Sequence, residues 1–224
     1  MKNISTMKQL KKKIRIRTTI TLITGLHIGG SKENVEIGGI DIPVIKLANS
    51  SNQPYIPGSS LKGKMRCLLE QVAGSPIVGL DSEVNNLFGI TENSGNKGTG
   101  TRPSKLIVRD AMLTDESEKQ LLECENLDMP YTENKFENTI DRVKGKAEHP
   151  RQIERVPAGA VFNAEFILNI WDDDNEQEMF RLFEKGISLV ENDYIGGSGS
   201  RGYGQIKFGE RKQEELSEAN NWKA

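Results

Sequence analysis

Asp41 is the residue whose type and setting could do chemistry. It stands between Ile40 and the pair Ile42-Pro43, and the proline ring restrains the residue before it to an extended shape. A carboxylate among apolar neighbours is either bonded into a local Asx-type turn or waiting for a partner, and Asp41 by itself fits both. Gly25, Gly29, Gly30, Gly38 and Gly39 precede it in a stretch with little hydrophobic periodicity. The backbone there is bent close to something rather than laid into a core. His27, beside the same loop, is a candidate acid or base, although a loop-structuring histidine is the more ordinary reading.

Downstream, Pro57-Gly58 leads into Ser59-Ser60, two N-cap candidates, and Leu61, Met65, Leu68, Leu69 and Val72 recur at helical spacing. Lys62, Lys64 and Arg66 lie off that face. A helix N-terminus with free N–H groups, hydroxyls and nearby lysines cradles phosphate. The same residues also describe the solvated flank of an ordinary amphipathic helix, and at this point both readings stand.

The elements that must position these groups follow from periodicity. Lys13 to Thr24 alternates, with Ile14, Ile16, Ile20 and Leu22 on one side and Arg15, Arg17, Thr19 and Thr21 on the other, which predicts a half-buried strand. The loop of residues 25–57 is too long for a mere connector, and long ordered loops are usually functional. A helix over 59–73 comes next, then a Gly, Asn, Ser and Thr-rich stretch, 89–103, that reads as a mobile surface loop. A strand around Arg109-Asp110 follows, within 105–113, and then a polar excursion through Glu125. Residues 131–157 mix Lys135, Arg142, Lys144, Lys146, Arg151 and Arg155 with acids and hold few apolar anchors. That composition predicts a protruding hairpin or arm rather than core.

Phe162, Ala164, Phe166, Leu168 and Ile170 alternate as a second strand, and Met179, Phe180, Phe183, Ile187 and Val190 mark the buried face of a helix over 175–191. A second glycine loop, Gly196, Gly197, Ser198, Gly199, Ser200 and Arg201 through Gly204, precedes a closing strand at Ile206 and Phe208. The glycines follow a helix and precede a strand, the reverse of a dinucleotide fingerprint. They suit a nest of N–H groups wrapped on phosphate or on a neighbouring helix end. The tail after Gly209 is expected to fray or to form a short surface helix.

Composition bounds the class. A chain of 224 residues with 35% hydrophobic residues supports one core with insertions. A net charge of −2 does not of itself indicate nucleic-acid binding, so charge matters locally. Lys8 to Arg17 and Lys62 to Arg66 carry no acid, whereas Asp172 to Glu184 is strongly acidic. Cys67 and Cys124 lack the spacing of a zinc site. No signal peptide or membrane-length apolar run is present, and a cytoplasmic protein is expected.

The blocks TGLHIGG, IGGID-PVIK, IPGSSLKGKMR, KFENTIDR, PRQIERV and YIGGSGSRGYG, in this order, resemble the RAMP superfamily. The resemblance runs from about Ile14 to Phe208 and is strongest to the repeated backbone ribonuclease subunit of type III-A (Csm) CRISPR effector complexes. It implies an α+β fold: a ferredoxin-like, RRM-like βαββαβ core forming a palm, a long insertion after the first strand, and a protruding thumb hairpin at 131–157, all in a single domain. The same resemblance implies a subunit that binds guide RNA (crRNA) and cuts complementary target RNA at regular intervals. Its partners would be crRNA, target RNA, further copies in a filament and other Csm subunits, with no membrane.

By the same resemblance Asp41 matches the catalytic aspartate. Ser59, Ser60, Lys62, Lys64, Arg66, Arg151, Arg155 and the loop from Gly196 to Arg201 fall on the RNA surface. With an ordinary pKa of about 3.9, Asp41 is a feeble base at neutral pH, so holding hydrated Mg²⁺ or Mn²⁺ through one oxygen is the easier role. Two alternatives stand beside this one. A non-catalytic guide-binding scaffold would lack the acid, and a standalone guide-processing endonuclease would lack the long thumb.

Overall fold

In the computed structural model, which describes residues 9–30, 42–91 and 101–217, the alternating stretch forms strand β1, Leu10–Leu22. Ile14, Ile16, Ile20 and Leu22 are buried on one face, joined by Thr18, whose hydroxyl donates to the Gly209 carbonyl at 3.0 Å. Short strand β2 is Tyr55–Ile56, β3 is Leu106–Val108 and β4 is Ala111–Leu113. The hairpin strands β5 and β6 are Glu133–Asp141 and Lys146–Arg155. Then come β7 at Val161–Trp171, β8 at Ile206–Phe208 and β9 at Lys212–Ser217.

The sheet is antiparallel, in the order β2-β4-β7-β1-β8, with β3 also on β7 and β9 also on β1. Each side of the central β7–β1 pair is therefore a strand in two pieces. β3 and β4 divide at Arg109-Asp110, and β8 and β9 divide around Gly209. Counting each divided strand once, the spatial order is that of a split βαβ arrangement. The tail expected to fray is instead β9. It reaches the sheet because Arg15 and Arg17 on the open face pair with its Glu214 as well as with Glu165 of β7.

Helix α1, Gly58–Val72, and helix α4, Glu176–Glu191, cover the apolar face. The rings of Phe166 and Phe183 meet edge to face at 5.1 Å between β7 and α4. Leu61, Met65, Leu68 and Leu69 are buried as their spacing predicted, but Val72 is half exposed because α1 ends there. The N-cap of α1 is Pro57, not Ser59 or Ser60, which lie in its first turn. A proline has no side-chain acceptor, and the kink at Asp110 supplies one: its Oδ1 accepts the Gly58 N–H at 2.7 Å. Asp110→Ala should therefore cost about 1 kcal/mol and lower Tm by roughly 2–4 °C. Asp110→Asn should keep most of that, which a pair of thermal melts would decide.

Two helices emerge where no helix was expected. The first is α2 at Ser82–Phe88, whose N-cap Asp81 accepts the Val84 N–H at 2.8 Å. The second, α3 at Asp115–Leu122, lies in the polar excursion, with Thr114 accepting from Ser117 at 3.2 Å. Both are signalled by an N-cap followed by acids, but each is short with a narrow apolar face, so periodicity is weak. Around the glycine-rich stretch of 89–103, Ile90 and Arg102 pair through two backbone bonds, while residues 92–100 fall outside the described residues.

The charged arm is the β5–β6 hairpin, paired from Glu133–Arg155 to Asp141–Lys146. It forms a sheet of its own. Phe136, Ile140 and Val143 on it are 67%, 65% and 95% exposed, so these three side chains serve no core of this chain.

Candidate nucleic-acid interface

The two glycine loops, far apart in sequence, lie backbone against backbone. Gly204 N–H donates to the Gly25 carbonyl at 3.0 Å, Gly197 N–H to that of His27 at 2.8 Å, and Ile23 N–H to that of Gln205 at 2.8 Å. Gly196 and Gly204 sit at φ +74 and +71, and a Cβ on them would lie 2.3 Å from the His27 carbonyl oxygen and 2.0 Å from that of Ile195. No side chain fits either position. Ser198 takes a left-handed conformation to enter a 3₁₀ turn at Gly199–Arg201. Of the loop's N–H groups, those of Gly197, Arg201, Gly202 and Gly204 are taken by backbone carbonyls, so much of the glycine content serves this close docking.

Asp41 lies outside the described residues, but the segment that follows it is firmly placed. Ile42 bridges Ile153 of β6, and its carbonyl accepts the Glu154 N–H at 3.1 Å. Glu154 is 1% exposed and binds three separate pieces of chain. Its carboxylate accepts from Val44 N–H at 2.8 Å, from Thr132 Oγ1 at 2.6 Å and from Lys46 Nζ at 2.6 Å. A buried carboxylate needs such satisfaction, and here it fastens the segment after Asp41 to the base of the hairpin. The Glu154 carbonyl in turn accepts the Nδ1–H of buried His27 at 2.7 Å. The structure thus gives His27 a loop-structuring bond.

Where the hairpin meets the second glycine loop, cations converge. Glu137 of β5 accepts the Tyr203 hydroxyl at 2.8 Å and pairs with Arg151 at 3.3 Å and Arg201 at 3.2 Å. Lys135 Nζ stands 4.4 Å from the centre of the Tyr203 ring, and the Arg155 guanidinium 5.2 Å from it. Burial, and then the bond to Glu137, push the Tyr203 hydroxyl up to about 12. Burial raises the Glu137 carboxyl, but the bonds from Tyr203 and Arg151 and the charge of Arg201 outweigh it, leaving the group below its ordinary value. Arg151, Arg155 and Arg201, read separately from the sequence, thus form one site with Lys135.

The cations of α1 have partners inside the chain. Lys62 Nζ donates to Ser104 Oγ at 2.6 Å and to the Leu106 carbonyl at 2.8 Å, and burial, then the Arg66 charge, lower its pKa. Arg66 binds Glu70, the Gly89 carbonyl and Asn85. Lys64 pairs with Asp193 at 2.9 Å and lies over the Tyr194 ring at 3.7 Å. With Asp110 on the Gly58 N–H, the helix start is already supplied with an acid. Ser59 and Ser60 flank that position. Sequence reasoning did not single out Glu137, Glu154, Lys46 or Tyr203, since a charged hairpin offers no signal for which acid folds inward or which distant groups will meet it.

A split-βαβ palm, two interlocked glycine loops and a basic hairpin base define a class, and the chain belongs to the RAMP superfamily, whose model matches residues 19–207. Within it the chain is 45% identical over 202 residues to the "CRISPR system Cms endoribonuclease Csm3" of Streptococcus thermophilus, covering 88% of this chain and 87% of that protein. To the protein of the same description from Methanocaldococcus jannaschii it is 42% identical over 211 residues, 89% of this chain and 79% of the relative. A chain in the crystal structure of the Csm3-Csm4 subcomplex of the type III-A CRISPR-Cas interference complex superposes with a TM-score of 0.60. It is 30% identical and covers 95% of this chain and 84% of that one.

Proposed function

We propose that this chain is the repeated RNA-cutting subunit of a type III-A CRISPR effector complex. It binds crRNA, assembles with further copies of itself and with other Csm subunits, and cuts complementary target RNA once per subunit. The observation that carries the reading is the junction at Glu154 and Glu137. There one hairpin is tied both to the segment that follows Asp41 and to the glycine loop that bears Arg201. Base pairing with the guide supplies sequence specificity, and the protein reads backbone and shape. The described residues hold no helix long and apolar enough to cross a membrane, in keeping with work in the cytoplasm.

The hairpin's exposed Phe136, Ile140 and Val143 suit insertion between stacked bases. In-line attack by a ribose 2′-OH needs the nucleophile, phosphorus and leaving oxygen aligned, which regular A-form pairing forbids. A displaced nucleotide permits it, and such positioning contributes about 7–11 kcal/mol. Asp41 acts on this geometry by holding a divalent cation or by taking the 2′-OH proton. Among the described residues no three His, Cys, Asp or Glu side chains form a metal cluster; Asp41, outside them, would be the residue to hold Mg²⁺ or Mn²⁺. Bound there, the cation supplies charge stabilisation for the developing oxyanion. The RNA surface is the base of the hairpin with Arg151 and Arg155, the loop from Gly196 to Arg201, and the start of α1 at Ser59 and Ser60. Lys62, Lys64 and Arg66 join it only by exchanging their internal acceptors for phosphate.

The test is to purify the co-expressed complex, sequence the RNA it carries and present a complementary target. Shortening the hairpin beyond Glu137 and Arg151 to a tight turn should leave crRNA binding in place and abolish the regular ladder of products. An undiminished ladder from the shortened protein would count decisively against insertion.

A further inference from the structure

Three cations converge on one carboxylate at the junction of hairpin and glycine loop. Lys135, Arg151 and Arg201 face Glu137, while beside them Arg155 pairs with Glu133 at 2.6 Å. Glu137 is the centre. One oxygen takes the Tyr203 hydroxyl at 2.8 Å with Lys135 at 3.8 Å, and the other takes Arg151 at 3.3 Å and Arg201 at 3.2 Å. Two guanidiniums, an ammonium and a hydroxyl converging on one anion is the donor set that recognises a phosphodiester.

The pairings are also loose. Charge-assisted N–H···O bonds at full strength run about 2.7–2.9 Å, and both arginine contacts are longer. The side chains of Arg201 and Arg151 are 56% and 39% exposed, against 13% for Glu137. The acid is tucked beneath and the donors face solvent. Ion pairs so exposed hold their partners weakly, so an incoming anion can compete for them.

Resting on the RNA reading above, we propose that Glu137 is a built-in stand-in for an RNA phosphate. It gathers Arg151 and Arg201 in advance and yields them to the RNA backbone. Because Glu137 belongs to the hairpin and Arg201 and Tyr203 to the second glycine loop, the same exchange unclasps one from the other. RNA engagement at this junction thereby frees the hairpin to reorient. Glu137 is a positioning residue and touches no reacting atom.

Glu137→Gln removes the competing charge while keeping an oxygen for Tyr203. Binding of a labelled single-stranded oligouridine by the full-length chain is measured across a salt series, for wild type, Glu137→Gln, Arg201→Ala and the double variant, with thermal melts of each. The expected result is that Glu137→Gln binds roughly two- to five-fold tighter, with a salt slope steeper by about 0.7 for each cation newly given to phosphate. Adding Arg201→Ala should cut that gain, leaving only the part carried by Arg151. Wild type that binds RNA while Glu137→Gln binds no tighter overturns the inference and leaves the RNA reading standing. So does a gain that is undiminished in the double variant. A wild type that binds no RNA at any salt overturns the RNA reading and the inference with it.

Discussion

Asp41→Ala should leave assembly on guide RNA and binding of target intact while cutting falls by at least about 10²-fold, the usual cost of removing a positioned base or metal ligand. Assembly survives because the segment after Asp41 is anchored without it. Ile42, Val44 and Lys46 are held by Glu154 through a backbone bond, a bond to the carboxylate and an ion pair. If the 2′-OH is the nucleophile, products carry a 2′,3′-cyclic phosphate and a 5′-hydroxyl. Chelation by EDTA should stop the wild-type reaction. A variant that cuts at the wild-type rate would remove Asp41 from the mechanism, and 3′-hydroxyl ends would assign the attack to metal-activated water.

The largest effect on stability is expected at Gly204→Ala. The left-handed conformation costs an alanine about 1–2 kcal/mol. The new Cβ would also lie 2.0 Å from the Ile195 carbonyl oxygen, so backbone must move. Movement there strains the bonds from Ile195 N–H to Gly204 and from Gly204 N–H to Gly25, each contributing about 1 kcal/mol net. A loss of about 3 kcal/mol or more follows, lowering Tm by on the order of 10 °C. Gly202→Ala is the control: its φ is also positive, at +85, but a Cβ there meets nothing within 4 Å, so only the conformational cost applies. Equal melting temperatures for the two variants would show that loop-to-loop contact is not what Gly204 protects.

The sequence by itself determined the regular elements that carry the core. β1, β7, α1 and α4 were legible because strict alternation and helical spacing report burial on one face, and a face is a local property of the chain. The hairpin was legible for the opposite reason: a long charged stretch with few apolar anchors reads as a protrusion rather than core. Asp41 stood out by its neighbours, and the two glycine loops by composition.

Only the tertiary structure decided how those parts meet. The α1 cations were readable as residues off the apolar face, but their acceptors, Ser104, Leu106, Gly89 and Asp193, come from elements elsewhere in sequence. The cap of α1 comes from Asp110, beside the neighbouring strand β4, where local reading looked to Ser59 and Ser60. The tail became β9 because β1 offered it an unpaired edge and two arginines, which no property of residues 212–217 alone records. Glu137 and Glu154 read as two more acids in a charged arm until folding placed one against Tyr203 and Arg201 and the other against Val44, Thr132 and Lys46. A charge has no period to betray its partner: electrostatic and hydrogen-bond pairing is fixed by distance in space, and distance in space is what a sequence leaves to the fold.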